Sequence, residues 1–390
     1  TVLTGYPGSI ASAWQQAGRS GRSTASSLSF LIAQDNPLDQ YLMRNPDFLF
    51  GQNFDNALIN PDNPHILKPH VLCAAWEKPL DDGDVEFFGG NVNAIVAELA
   101  KEGKLKRRHD RWYLSPAVKY PAESVGIRTT SGRYAVIDVA RGCLLETVEA
   151  SVAFLQVHPG AIYLHQGESY LVTELDLLRR TALAEPTSVN YYTQPRDITD
   201  LRVVKITRQK NCRGVKVYLG DVEVSTTVIG FRKKRQFSEE VIGEEALELP
   251  AQAFLTKSLW FDLPQKALHM IAEAGLDFHG GLHACEHAAI GMLPLFALCD
   301  RNDVGGVSIP LHPDTGKAQV FIYDAYPGGI GIAEKGFEVV EELWEATLKL
   351  VQQCPCEDGC PGCIQSPKCG NNNQPLDKRA AVIILQGLSA

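Results

Sequence analysis

Long apolar runs are missing from these 390 residues. A helix needs roughly 20 consecutive apolar residues to cross a bilayer, so no membrane-spanning helix is expected. No basic, apolar leader opens the chain, and residue 1 is Thr rather than Met. The expectation is therefore a piece of a longer protein without a secretion signal. A surplus of positive charge is missing too: 37 Lys and Arg stand against 46 Asp and Glu, a net charge of −9. Any nucleic-acid contact then has to be a local patch. Internal repeats and low-complexity tracts are absent, which excludes solenoids and compositionally driven disorder. Cysteines spread in pairs, as in a secreted disulfide framework, are also missing. Five of the ten cysteines crowd between Cys354 and Cys369. Such a cluster, without a leader, reads as a metal site in a reducing compartment, so a cytoplasmic location is expected.

What is present changes along the chain, and the fold class expected is α/β with several domains. Residues 1–35 alternate turn signals with apolar runs. Ser9 or Ser12 can cap a helix over Ser9–Gln16, and LSFLIA (28–33) reads as a buried strand. Residues 36–69 are rich in Asn, Asp and Pro and read as a connector with short helices. In 70–120, Val92, Ile95, Val96 and Leu99 fall at i, i+3, i+4 and i+7, one helical face. The charged stretch KLKRRHDRWYLS follows as two short strands around a His-Asp turn, which suits a winged helix or a small αβ connector. Residues 121–257 are strand-rich, with Gly-Glu and Gly-Asp turn signals, and suggest a small β-barrel or sandwich. From 258 to 390 helices dominate. Pro294 is expected to break the helix of HACEHAAIGMLPLFALC, and AQVFIYDAY reads as a core strand. Phe337, Val340, Trp344, Thr347 and Val351 share one helical face.

Two motifs carry chemistry. Gln15-x-x-Gly18-Arg19-x-Gly21-Arg22 sets two guanidinium forks three residues apart on a loosened helix end, where they can reach adjacent phosphate oxygens. Arginines so placed stabilise charge that spreads over a phosphoryl group in transfer. The phosphate loop itself is missing. No G-x-x-x-x-G-K-[ST] occurs, the nearest fragment being Thr315-Gly316-Lys317-Ala318, and there is no D-E-x-[DH] box. Without amides for the β-phosphate and a carboxylate for Mg²⁺, hydrolysis has no centre in this chain. The second motif is Cys354-x-Cys356-x₃-Cys360-x₂-Cys363. Four thiolates this close, among Pro and Gly turn residues, suit one tetrahedral, closed, structural Zn²⁺. An iron–sulfur cluster and inert thiols are the other readings, and Cys369 is a rival ligand to Cys354.

TGYPGSIASAWQQAGRSGR resembles motif VI of superfamily-two helicases. The tail segments HACEHAAIGMLPLFALCDRNDVGG, FIYDAYPGGIGIAEKGFE and CPCEDGCPGCIQSPKCGNNNQPLDKRAA resemble the C-terminal domain of one branch. That branch is the MrfA (mitomycin repair factor) group of DEAD/DEAH-box DNA repair helicases. The resemblance implies that 1–35 is a remnant of a second RecA-like domain and 70–120 a winged helix. It further implies that 121–257 is a β-barrel-like part, and 258–390 a Cys₄ zinc-binding part, of the C-terminal domain. By the same resemblance Arg22 is the arginine finger, Arg19 a second phosphate contact and Gln15 a polar contact to nucleotide. Cys354, Cys356, Cys360 and Cys363 match the family's zinc ligands. The implied parent is an ATP- and Mg²⁺-dependent 3′ to 5′ translocase on single-stranded DNA, monomeric and nucleoid-associated. Its first motor domain is not in this chain, so the chain alone is expected to lack ATPase activity. The alternative is a zinc-stabilised DNA- or protein-binding module without a motor role.

Lesser signals remain. Phe231-Arg232-Lys233-Lys234-Arg235-Gln236-Phe237 is the densest basic run and suits either a single strand with stacked bases or a solvated loop balanced by Glu239 and Glu240. Arg202, Lys205, Arg208, Lys210, Arg213 and Lys216 lie on strands before it. Lys104, Lys106, Arg107, Arg108 and Arg111 make a similar patch on the expected wing, with Trp112 for stacking. His283-x-x-Glu286-His287 fits the inverted zinc-protease pattern, although a helix pinned by buried polar groups fits the apolar surroundings better. The amides of Tyr326-Pro-Gly-Gly-Ile-Gly331 can bind a phosphate, or the glycines can serve tight packing against the cysteine cluster.

Overall fold

Ser9 caps the first helix, Ile10–Ala17, accepting a hydrogen bond from Ser12 N, and Gly18 closes it. The computed structural model describes residues 1–21, 26–51, 58–125, 132–238 and 240–390. Two compact units result. One comprises Thr1–Asn60, Leu201–Glu223 and Leu255–Ala390; the other comprises Pro61–Asp200 and Val224–Phe254. One division, at Phe254/Leu255, lies near the boundary expected at 257, and Leu201–Glu223, inside the expected β-rich part, belongs to the first unit. Three strands, Tyr191–Cys212, Val215–Arg235 and Gln252–Asp262, each begin in one unit and end in the other. Their alternation continues through the crossing points, so sequence pattern alone does not mark where one core gives way to the next.

In the first unit the sheet order is Tyr191–Cys212, Val215–Arg235, Gln252–Asp262, Gln319–Asp324, Val304–Ile309. Gln319–Asp324 is buried at every position and pairs antiparallel on both sides, the core strand that AQVFIYDAY predicts. The helix Phe278–Met292 packs against Val304–Ile309 and against the last helix, Lys378–Ser389. At Gly281 a Cβ would lie 2.4 Å from that of Ala380, so only glycine permits this approach. The helix gives way at Leu293–Leu295, where Pro294 imposes the expected break. Phe337 ends up on Ile332–Glu338 and Val340, Trp344, Thr347 and Val351 on Val340–Gln353, all of them buried. Among the described residues of 1–35 the strands form one two-stranded parallel pair, Val2–Thr4 with Phe30–Ile32. The second of these is a strand as expected but not a buried one, with Phe30 55% and Ile32 53% exposed. A parallel pair needs cover on both faces, and two strands alone cannot supply it.

In the second unit Val92, Ile95, Val96 and Leu99 are all buried on the helix Val92–Lys101, as their spacing predicts. They pack with Leu67 and Val71 of Pro64–Glu77, a helix that begins inside the expected connector. Leu105–Arg108 and Arg111–Leu114 form the hairpin, turning at His109 with φ 53°. Leu80 bridges to Trp112 beside it. Helix, helix and winged hairpin are thus in place. The following sheet has the order Cys143–Glu149, Arg133–Asp138, Thr181–Thr187, Glu168–Asp176, Ile162–His165. Among the described residues it is an open path, so of the barrel or sandwich expected a closed barrel is not formed. One pair, Arg133–Asp138 with Thr181–Thr187, is parallel, so the chain does not simply meander round to closure.

Two turn assignments shift. The hairpin turn falls on Gln166 and Gly167, with φ 50° and 85°, rather than on Gly167-Glu168. Gly220-Asp221 is no turn but lies inside Val215–Arg235. A Cβ on Gly220 would stand 2.1 Å from the Lys205 carbonyl oxygen, so this glycine serves close strand approach.

Candidate metal and nucleic-acid sites

The four clustered cysteines meet at one point. Cys354 is the residue that ends the helix Val340–Gln353, and the others sit on the loop before Lys378–Ser389. Cys354 Sγ lies 3.5 Å from Cys356 Sγ and 3.5 Å from Cys360 Sγ; Cys363 Sγ is 3.5 Å from Cys356 Sγ and 3.7 Å from Cys360 Sγ. A disulfide needs about 2.05 Å. Four thiolates at about 2.3 Å from one Zn²⁺ stand roughly 3.8 Å apart, so this spacing fits a shared tetrahedral ion. No disulfide joins any of the ten cysteines. Gly359, at φ 106°, folds the loop tightly over Ile364, where no L side chain would fit. Burial opposes the Cys356 thiolate, but hydrogen bonds from Cys354, Cys363 and the Lys378 ammonium outweigh it and bring the pKa down to about 7. Lys378 Nζ also donates to the carbonyls of Cys354, at 2.8 Å, and Cys356, at 2.5 Å. Cys369 is not a fifth member. Its sulfur lies 3.6 Å from His283 Nε2, in a separate group with His287.

The arginine motif is exposed. Gln15 and Arg19 project from Ile10–Ala17 and its C-terminal turn into solvent, beside Trp14, whose ring meets Phe50 edge-on at 5.9 Å. Arg22 lies outside the described residues.

The two basic patches differ in a way the sequence does not show. On Val215–Arg235, Arg232 pairs with Glu244 at 2.8 Å, Lys233 with Glu245 at 2.5 Å and Arg235 with Glu240 at 3.2 Å. Lys234 is buried. Glu244 and Glu245 stand on the neighbouring strand Val241–Ala246, antiparallel to the run, and Glu240 immediately precedes it. This densest basic stretch is therefore largely neutralised, the arrangement of the second reading, balance by nearby acids. Arg202 and Arg213 are likewise engaged, by Glu223 and by Glu341 with Glu345. The wing keeps its charge. Lys106, Arg107 and Arg108 are exposed, and none has an acid within ion-pair distance among the described residues. Arg107 lies over the Trp112 ring at 5.6 Å from the centroid, so that ring is covered on one face and half-buried against the winged-helix core. Arg111 approaches Asp81 at 3.8 Å, and Lys104 pairs with Glu102 at 2.7 Å.

The remaining signals resolve by geometry. His283 and His287 share a face of Phe278–Met292, ring centroids 4.2 Å apart. Glu286 points elsewhere: a Cβ on Gly306 would meet its Oε1 at 2.9 Å, and it hydrogen-bonds Ser308. Burial pushes its pKa up to about 7, against those hydrogen bonds. A zinc protease needs this carboxylate beside the histidines as its base, and the helix turns it away. The 326–331 amides do not await a phosphate either. Gly328 N donates to the Leu255 carbonyl and Gly329 N to that of Tyr326, and Asp324 holds the next four: Oδ2 accepts from Ile330 N at 2.6 Å, Gly331 N at 3.0 Å and Ile332 N at 3.3 Å, and Oδ1 from Ala333 N at 2.7 Å. The glycines serve this wrap, Gly328, Gly329 and Gly331 all having positive φ.

Comparison with known proteins adds the following. Residues 285–364 match the MrfA Zn-binding domain, and residues 59–130 match the winged helix domain of ATP-dependent helicase HRQ1. The chain is 36% identical to the uncharacterized ATP-dependent helicase YprA of Bacillus subtilis over 93% of its own length and 48% of that protein. It is 29% identical to ATP-dependent helicase HRQ1 of Saccharomyces cerevisiae over 98% of its length and 37% of that protein. It thus spans half or less of these relatives. The crystal structure of the DUF1998 helicase MrfA bound to DNA superposes with a TM-score of 0.58 at 32% identity, covering all of this chain and 52% of that one.

Proposed function

The chain belongs with the MrfA-like helicases, matching their C-terminal region, and on that premise we propose that it is the strand-guiding part of an ATP-driven DNA helicase. Its parent moves 3′ to 5′ along single-stranded DNA and acts in repair. The observation that carries the guiding role is the unneutralised wing, Lys106, Arg107 and Arg108, in a chain whose other dense basic run is matched by acids. Phosphates are gripped by cations free to release counterions, and a paired cation offers little. One Zn²⁺ on Cys354, Cys356, Cys360 and Cys363 holds the end of the first unit folded. Gln15, Arg19 and Arg22 serve a nucleotide bound with Mg²⁺ on a separate, N-terminal motor domain, Arg22 as the arginine finger. The exposed parallel pair Val2–Thr4 and Phe30–Ile32 fits the edge of a larger RecA-like sheet. The protein works as a monomer.

Two measurements test this reading. Anisotropy of a labelled single strand, titrated at several salt concentrations, should show binding that weakens steeply with salt. Replacing Lys106, Arg107 and Arg108 together by Ala should lower affinity about 10- to 100-fold and flatten the salt slope by about 2. Replacing Arg232 and Arg235 should change it less than about twofold. Equal losses from both sets would refute the wing as the grip. In phosphate-release assays the chain alone should hydrolyse ATP no faster than buffer, with or without DNA, because it has neither phosphate loop nor acid box. Turnover above that background would refute the division of labour between this region and a separate motor domain.

A further inference from the structure

A second metal-binding group lies outside the cysteine cluster, on residues no family match assigns to a metal. His283, His287 and Cys369 place one ligand atom each within 4.8 Å of the others. Two come from adjacent turns of Phe278–Met292; the third comes from the loop after the cysteine cluster, 86 residues further on. The matched zinc domain, residues 285–364, contains neither His283 nor Cys369.

The local hydrogen bonds favour a metal. His283 Nδ1 donates to the Pro375 carbonyl at 3.0 Å, and His287 Nδ1 donates to the Ile364 carbonyl at 2.9 Å. Each bond fixes the tautomer and leaves Nε2 as the lone-pair nitrogen, the arrangement that metal-bound histidines adopt with backbone carbonyls behind them. His283 Nε2 stands 3.6 Å from Cys369 Sγ. Bonds of about 2.0–2.1 Å to nitrogen and 2.3 Å to sulfur give a tetrahedral edge of roughly 3.6 Å. Asn373 N points at the same sulfur from 3.2 Å, as amides do toward ligating thiolates. His287 and Cys369 are buried, whereas His283 is half-exposed, so one side of the group faces solvent.

We propose that His283, His287 and Cys369 bind a second Zn²⁺, with water as the fourth ligand. Two imidazoles and one thiolate are borderline donors that suit Zn²⁺ over Mg²⁺ or Ca²⁺. The role is structural. Glu286, the one carboxylate that the H-x-x-E-H spacing offers as a base, faces Gly306 and Ser308 instead. The ion pins the loop 364–375 to the helix Phe278–Met292, and the two carbonyls that orient the histidines belong to the two ends of that loop.

Zinc counted by mass spectrometry on the full chain should come to two per chain. Cys369→Ser and His287→Gln should each reduce the count to one while Cys354, Cys356, Cys360 and Cys363 keep theirs. A count of one in the unaltered chain overturns the proposal, as does a count of two that survives Cys369→Ser. Should these variants fail to fold, Co²⁺ titration of the metal-stripped, unaltered chain decides. Saturation at two equivalents, the second adding a weaker thiolate charge-transfer band than the first, supports the site. Saturation at one equivalent overturns it.

Discussion

Replacing Cys360 by Ser is expected to unfold the end of the first unit, and a strong chelator should do the same to the unaltered chain. Cys354 and Cys363 are not surface thiols: with Ile364 they belong to the main core, beside Leu350, Val351 and Ile384. With Zn²⁺ bound, four thiolates share one divalent charge. Without it, their burial is uncompensated, and Cys360 is pushed by burial up to about 11 and Cys363 higher still. Structural zinc contributes about 10 kcal/mol or more to folding in small domains. Here a large core offsets part of the loss, so a drop in Tm of about 10 °C or more is the expected scale. The readout is near-UV circular dichroism and Trp fluorescence, because Trp260 and Trp344 are fully buried in this unit. Trp344 packs edge-on against Phe261 at 5.2 Å. Zinc released with melting unchanged would sink the structural role. Because the second proposed ion does not use Cys360, the variant should still hold one zinc if the loop 364–375 survives.

Asp324→Ala should be the most damaging single change away from the cysteines, lowering stability by about 3–5 kcal/mol. One carboxylate accepts four backbone N–H groups, from Ile330 to Ala333. Alanine strands all four. Those of Ile332 and Ala333 are buried, each costing about 1–3 kcal/mol when unsatisfied, while water can reach part of the rest. Burial raises the Asp324 pKa to about 6, against the pull of those N–H donors, so the group remains a carboxylate at pH 7.5. Asp324→Asn should be little better than Ala, since its amide NH₂ would face donors. Thr256→Val is the matched control. The Thr256 hydroxyl bonds the Asp324 and Tyr326 carbonyls at 2.8 and 2.9 Å, and its loss should cost only about 1 kcal/mol. Urea unfolding of the three variants gives the comparison, and an Asp324→Ala midpoint equal to that of Thr256→Val would refute the account.

Much of the functional map was legible because it is local. The four cysteines span ten residues, 354–363, with Pro and Gly between them. Ligands so near in sequence can scarcely avoid one another once the loop turns. The arginine motif is equally local, and so is the wing, where an amphipathic helix runs into a charged hairpin.

For the basic run Phe231–Phe237 the sequence leaves two readings open, because its acidic neighbours are visible but their pairing is not. Glu240 meets Arg235 across the turn, while strand register sets Glu244 and Glu245 against Arg232 and Lys233. The glycine loop at 326–331 likewise leaves two readings open, since open amides and amides filled by a carboxylate from the preceding strand look alike until Asp324 is placed.

Sequence alone determined the cysteine cluster, the arginine motif, the winged helix and the helical faces, since each depends on spacings of a few residues that backbone geometry converts directly into proximity. The tertiary structure decided which cations stay unpaired, where one unit gives way to the other, and that Cys369 joins His283 and His287 instead of the cysteines nearby. Those outcomes hang on strand register and on contacts between distant segments, as between His283 and Cys369, 86 residues apart. No spacing along the chain encodes them.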